Sequence, residues 1–66
     1  MKQPKYAELL IRDGRKYPIA VIHFNSKQVT LQESERVYNT VNAENVKFDF
    51  SDFTEKEKEE FCRNFA

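Results

Sequence analysis

The sequence predicts a small α+β fold, mostly β, in which an antiparallel meander of about five short strands precedes a C-terminal α-helix. Two features support this fold class. Runs in which apolar and polar residues alternate occupy residues 5–50 and are separated by turn-forming residues. From residue 55 onward there is no β-branched residue, and charged helix-forming residues dominate. A chain of 66 residues has room for one domain over 1–66, which we expect to be an SH3-like open barrel or a bent sheet.

The first predicted strand covers residues 5–12. Its period-two pattern is typical of a half-buried strand, with one face formed by Ala7, Leu9 and Ile11. The dipeptide Asp13-Gly14 follows. Asp-Gly between two apolar runs indicates a two-residue type I′ hairpin turn, whose central positions both need positive φ. We therefore expect a positive φ at Gly14.

The second predicted strand covers residues 19–24. Because Pro18 has no N–H, regular pairing is expected to begin near Ile19. The face expected in the core consists of Ala20, Ile22 and Phe24. His23 would then lie on the more exposed face. Since the chain has no second histidine, we expect His23 to be a structural residue and neither a catalytic group nor a metal ligand.

Three further strands are predicted over residues 28–32, 36–41 and 46–50. Polar turns separate them, and each run alternates apolar with polar residues. The inward face of the last strand is expected to consist of Val46, Phe48 and Phe50. Its other two residues, Lys47 and Asp49, are expected to face water.

A helix is predicted over residues 54–65. Thr54 followed by Glu57 three residues later is the pattern of an N-terminal capping box. The spacing of the phenylalanines places one apolar stripe on this helix, formed by Phe53, Phe61 and Phe65. We expect the stripe to pack on the sheet and to stabilise the fold by several kcal/mol at about 25 cal/mol per Å² of buried apolar area.

Charge is unevenly distributed although the net charge is zero. Residues 1–30 carry six basic and two acidic side chains, a difference of +4, and residues 31–66 carry five basic and nine acidic side chains, a difference of −4. In so small a domain the two halves lie within one or two Debye lengths of each other. We therefore expect the asymmetry to reflect mainly internal complementarity.

Several classes of protein are excluded or disfavoured by composition. The single cysteine, Cys62, cannot form an intramolecular disulfide or a cysteine-rich zinc site, and no cofactor or metal motif is present. The first ten residues lack the apolar region of a signal peptide, and no apolar run is long enough to span a bilayer. These features predict a cytoplasmic protein without bound cofactors.

The sequence contains no catalytic motif, so we predict that the chain is not an enzyme. By elimination, it is expected to be a non-catalytic protein-binding module whose partner is another protein or a second copy of itself. Small charged chains of this kind are typical of accessory or inhibitor proteins of mobile elements. Two binding surfaces are predicted: a strand edge near Pro18 or within residues 28–32, and an acidic helix face. The acidic face consists of Glu55, Glu59 and Glu60.

The alternative prediction is a small nucleic-acid-binding β-barrel. Its contact residues would be Arg12, Arg15, Lys16 and Tyr17, with three cations for phosphates and one ring for base stacking. The neutral net charge and the acidic helix disfavour this alternative, because nucleic-acid-binding domains are generally basic.

Overall fold

The computed structural model describes residues 1–11 and 14–65 and confirms the predicted fold class. Its strands are β1 (Tyr6–Leu9), β2 (Lys16–His23), β3 (Gln28–Ser34), β4 (Val37–Asn42) and β5 (Val46–Phe48). A 3₁₀ turn (Ala43–Asn45) links β4 to β5, and α1 (Glu55–Phe65) ends the described chain. The five strands form a bent antiparallel sheet that is not closed into a barrel.

The order of strands in the sheet is β4-β3-β2-β1-β5. The first four strands form a meander, and β5 returns to pair with β1. The edges of the sheet are therefore β4 and β5. The edge predicted within residues 28–32 is wrong, because β3 pairs with β2 on one side and with β4 on the other. Near Pro18 the prediction holds only locally: residues 16–18 pair with β1, and pairing of β2 with β3 begins at Ile19. Strand periodicity shows which face of a strand is buried but does not show how many neighbours the strand has.

Pro18 lies within β2 without costing the sheet a hydrogen bond. The Ile19 N–H donates to the Lys5 carbonyl at 2.9 Å, on the side of β1. Because successive N–H groups in a strand alternate in direction, the Pro18 nitrogen points away from β1. On that side, pairing with β3 begins only at Ile19. This strand therefore begins at Lys16, three residues before the predicted start.

A β-bulge between Ile19 and Val21 reverses the faces of β2. Tyr17 and Ile19 face the core before the bulge, and Ile22 faces it afterwards. Ala20 is exposed, so its predicted core position is wrong, whereas Ile22 packs on the core as expected. The bulge bends the sheet at the point where β2 changes its main partner from β1 to β3.

The connection between β1 and β2 is longer than the two-residue turn that Asp13-Gly14 indicates. Such a turn would place Ala7 opposite Ala20, but the observed partner of Ala7 is Tyr17. This register brings two buried side chains together on the core face, which is what normally determines strand register. Asp13 lies outside the described residues, while Gly14 has the expected positive φ, +76°. The predicted inward position of Ile11 is wrong, because β1 ends at Leu9 and Ile11 is 82% exposed.

The core lies on one face of the sheet and has a mainly aliphatic part and an aromatic part. The buried residues of the first part are Ala7, Leu9, Tyr17, Val29, Leu31 and Val46. The second part contains all six phenylalanines of the chain: Phe24, Phe48, Phe50, Phe53, Phe61 and Phe65. Phe48 joins the two parts, since it packs against the aliphatic residues and contacts the Phe61 ring edge-to-face at 5.3 Å.

Helix α1 covers the open face of the bent sheet through the predicted phenylalanine stripe. Phe61 and Phe65 are buried, and their ring centroids lie 6.1 and 5.6 Å from that of Phe24. Phe53, just before the helix, contacts Phe50 at 5.1 Å. Edge-to-face contacts of this kind add stabilisation beyond the burial of apolar area. The helix is therefore an integral part of the core.

The predicted capping box is present at the start of α1. The Glu57 N–H donates to Thr54 Oγ1 at 3.1 Å, and the Thr54 N–H donates to Glu57 Oε1 at 2.8 Å. Donation from the Thr54 N–H lowers the pKa of the Glu57 carboxyl, and the Lys2 ammonium contributes in the same direction. This reciprocal pair satisfies two backbone donors that would otherwise lack partners and determines where the helix begins.

Candidate functional site

The open edge of β4 is the feature most characteristic of a binding site. Its six residues, Val37–Asn42, include no charged residue and no proline in a chain that is 33% charged. The other edge strand, β5, has only three residues, and the central one is Lys47. Short length and charge are the usual protection of an edge strand against pairing with another chain. The edge of β4 has neither protection.

The backbone groups along this edge can be assigned from one hydrogen bond. The Ala43 N–H donates to the Lys27 carbonyl at 2.9 Å, and these two residues continue the β3–β4 register. Because hydrogen-bonded and non-hydrogen-bonded pairs alternate along an antiparallel ladder, Val41 and Asn39 bond to β3. The backbone N–H and C=O groups that point to the open edge are those of Tyr38, Thr40 and Asn42.

The face of the sheet opposite the core carries a row of hydrogen-bonded polar side chains beside this edge. His23 Nε2 lies 2.9 Å from Thr30 Oγ1, which lies 2.8 Å from Thr40 Oγ1. Gln28 Nε2 donates to Asn42 Oδ1 at 3.3 Å in the neighbouring row. His23 is therefore half-buried and bonded to a side chain of the next strand, which is the geometry of a structural residue. The Thr30–Thr40 and Gln28–Asn42 bonds join β3 to β4 on this face.

The residues of the predicted nucleic-acid site do not form an exposed stacking surface. Tyr17 is only 7% exposed, and its ring lies 5.6 Å from the Arg15 guanidinium. Lys16 Nζ lies 3.2 Å from Asp49 Oδ2. Arg12 lies outside the described residues. A base cannot stack on a buried ring, so the geometry disfavours the role predicted for Tyr17.

Lys16 instead lines a groove of about 320 Å³ between the sheet and α1. Two further lysines, Lys47 and Lys58, and the acidic residues Glu8 and Asp49 also line this groove. Donation from the Ser51 backbone N–H to Asp49 at 3.0 Å lowers the pKa of that carboxyl, and Lys16 adds to the effect. The two carboxylates offset two of the three lysines, so the groove is only weakly cationic. Sequence spacing could not reveal this group, since its members come from four different segments.

The predicted acidic face lies on α1, and all three of its residues are exposed. Glu60 Oε1 lies 4.0 Å from the N-terminal amine, which places one member beside a positive charge of the same chain. Glu55 and Glu59 are four residues apart and therefore share one side of the helix. The surface can attract a basic partner, but none of its three residues lines either of the grooves described in this subsection.

A second groove of about 470 Å³ lies between the β2–β3 turn, the 3₁₀ turn and the end of α1. The residues that line it include two aromatic side chains, Phe48 and Phe65, and two charged ones, Lys27 and Glu44. Among the described residues, no group of three or more His, Cys, Asp or Glu side chains is placed to bind a metal ion, and no helix is long and apolar enough to cross a membrane.

Comparisons with known proteins give no independent indication of function: no family model, curated protein or solved structure matches the chain. Sequence reasoning missed the β4 edge, although the uncharged run over residues 37–43 could have indicated it. Interior strands also contain uncharged runs, and only the observed strand order shows that this one lies at an edge.

Proposed function

We propose that the chain is a non-catalytic protein-binding module that binds an extended protein segment along the open edge of β4. The observation that carries the proposal is the composition of this edge strand, which contains six residues with no charge and no proline. Strand addition derives its affinity from backbone hydrogen bonds and its specificity from alternate side chains. The outward backbone groups of Tyr38, Thr40 and Asn42 supply the hydrogen bonds. The exposed side chains of Val37 and Tyr38 contribute to the specificity.

We also propose the SH3-like shape, the cytoplasmic location and the biological role that the sequence indicates. An SH3-like shape is supported by five antiparallel strands that bend at β2, and it implies no function by itself. A cytoplasmic accessory or inhibitor protein of a mobile element is the biological role that we propose for such a module.

A peptide selection tests the binding mode. We expect ten-residue peptides selected from a random displayed library to shift the amide NMR signals of Tyr38, Thr40 and Asn42. Thr40→Pro removes an N–H that points to the open edge and should weaken binding at least tenfold. Glu59→Gln, on the acidic face, is the matched control and should leave affinity unchanged. Peptides that shift the signals of α1 and are insensitive to Thr40→Pro would contradict the proposal.

Nucleic-acid binding is the second candidate function, and an oligonucleotide titration tests it. We expect no binding of single- or double-stranded oligonucleotides tighter than about 10–100 µM at physiological salt, the weak range of non-specific association. The reasons are the zero net charge, the buried Tyr17 ring and the acidic helix. A micromolar, strongly salt-dependent titration that is weakened by Arg15→Ala or Lys16→Ala would favour this candidate instead.

A further inference from the structure

We infer that the segment bound by β4 is β4 of a second copy of the chain, paired antiparallel about a two-fold axis at Thr40. This inference rests on the proposed function, since it names the partner of the same edge. The dimer would join two five-stranded sheets into one continuous sheet of ten strands. Both unprotected edges would then be covered, because a two-fold axis brings the same surface of each copy together.

The backbone of the edge selects one register. The groups that point outward belong to Tyr38, Thr40 and Asn42, which are spaced by two residues. In an antiparallel self-pairing, this set maps onto itself only when Thr40 faces Thr40 of the second copy. Tyr38 then faces Asn42 on both sides of the axis. Every outward N–H and C=O of the strand finds a partner in this register, and any shift leaves some of them unpaired.

The charges at the two ends of β4 are complementary in the same register. Continuing the pairing by two residues brings Arg36 of each copy opposite Glu44 of the other. Both side chains are exposed, and each lies in the turn next to one end of the strand. The axis generates this pair of opposite charges twice. Such pairs favour the correct register and partner more than they add affinity.

Two exposed apolar side chains are also partly covered in this arrangement. Val37 and Tyr38 are 51% and 56% exposed in the single chain. The two-fold pairing places Val37 opposite Ala43 and Tyr38 opposite Asn42 of the second copy. Their contacts with these side chains remove apolar area from water, which adds to the backbone hydrogen bonds.

Sedimentation equilibrium from about 1 µM to 1 mM tests the inference on the intact chain. We expect the average mass to rise from one copy towards two across this range. Thr40→Pro should keep the chain monomeric at 1 mM while its circular dichroism stays like that of the wild type. Asn39→Pro is the matched control: its N–H bonds to β3, so it should lose cooperative folding instead.

A charge exchange tests the register. Arg36→Glu and Glu44→Arg should each weaken dimerisation about tenfold at low salt, because each variant places like charges opposite one another twice. The double variant should restore the affinity of the wild type. Failure of the double variant to restore it, with the dimer still present, would overturn the register.

Dimerisation of the chain and binding of a peptide strand at β4 are tested by separate measurements. A wild-type chain that remains monomeric at 1 mM overturns the second copy as partner. The selected peptides then decide whether β4 still accepts a strand. A dimer that survives Thr40→Pro in a folded chain would overturn the β4 interface itself.

Discussion

At the level of single residues, two backbone positions show how local geometry limits substitution. Lys27 in the β2–β3 turn has a φ of +55°, and it is the only described residue other than glycine with positive φ. Gly14 has a φ of +76° in the connection between β1 and β2. Residues with a Cβ rarely adopt such angles, and β-branched residues do so least readily. Both turns therefore depend on a backbone conformation that side chains oppose.

Gly14→Val should destabilise the fold by more than about 1 kcal/mol. The strain should come from the backbone, because a Cβ at this position would meet no atom within 4 Å. Gly14→Asn is the matched control and should cost less, since asparagine tolerates positive φ. Urea unfolding of the three proteins measures the differences. Equal stability of the valine variant and the wild type would refute the importance of this backbone conformation.

At the level of elements, the beginning of α1 links local sequence to pH dependence. The capping box holds the pKa of Glu57 below its ordinary value. A carboxyl whose pKa is lower in the folded than in the unfolded state binds fewer protons when folded. Its stabilising effect is complete above the unfolded-state pKa and is lost as pH falls through the folded-state pKa.

We therefore expect the stability of the wild type to fall as pH decreases below about 5. Glu57→Gln should reduce the slope of this acid loss, since glutamine can still complete a capping box but does not titrate. Thermal unfolding of both proteins between pH 2 and pH 7 measures the effect. Part of the slope should remain in the variant, because the pKa of Asp49 is also lowered. Identical acid profiles for the two proteins would contradict a contribution from Glu57.

At the level of the whole molecule, basic groups of residues 1–30 form ion pairs with acidic side chains of residues 31–66. Lys2 lies 3.6 Å from Asp52 and 3.7 Å from Glu57, and its ammonium lies 4.8 Å from the Phe53 ring. Lys16 pairs with Asp49, and the N-terminal amine lies beside Glu60. Each of these pairs connects residues 1–30 with residues 31–66. They support the expectation that the asymmetry is mainly internal complementarity.

The phenylalanine cluster should dominate the stability of the molecule. Phe61 is 1% exposed and contacts the rings of four other phenylalanines. Phe61→Ala should cost about 3–5 kcal/mol, a large part of what so small a domain has. Ile11→Ala is the control: Ile11 is 82% exposed, and its truncation should change stability by less than about 0.5 kcal/mol. A small loss for Phe61→Ala in chemical unfolding would contradict this account of the core.

The sequence by itself determined the types and order of the elements, the start of α1 and the face that this helix buries. These features depend on contacts between residues a few positions apart, such as Thr54 with Glu57, or on the spacing of side chains along one helix. Local sequence therefore contains the information that determines them.

Only the tertiary structure decided the bulge at Ala20, the β1–β2 register, the burial of Tyr17 and the position of β4 at an edge. A period-two pattern is the same for an edge strand and an interior strand, and one inserted residue reverses a face without changing composition. The choice of neighbours arises when the two parts of the core are buried together. The candidate binding edge is exposed because β5 pairs with β1 and leaves β4 with β3 as its one neighbour in the sheet.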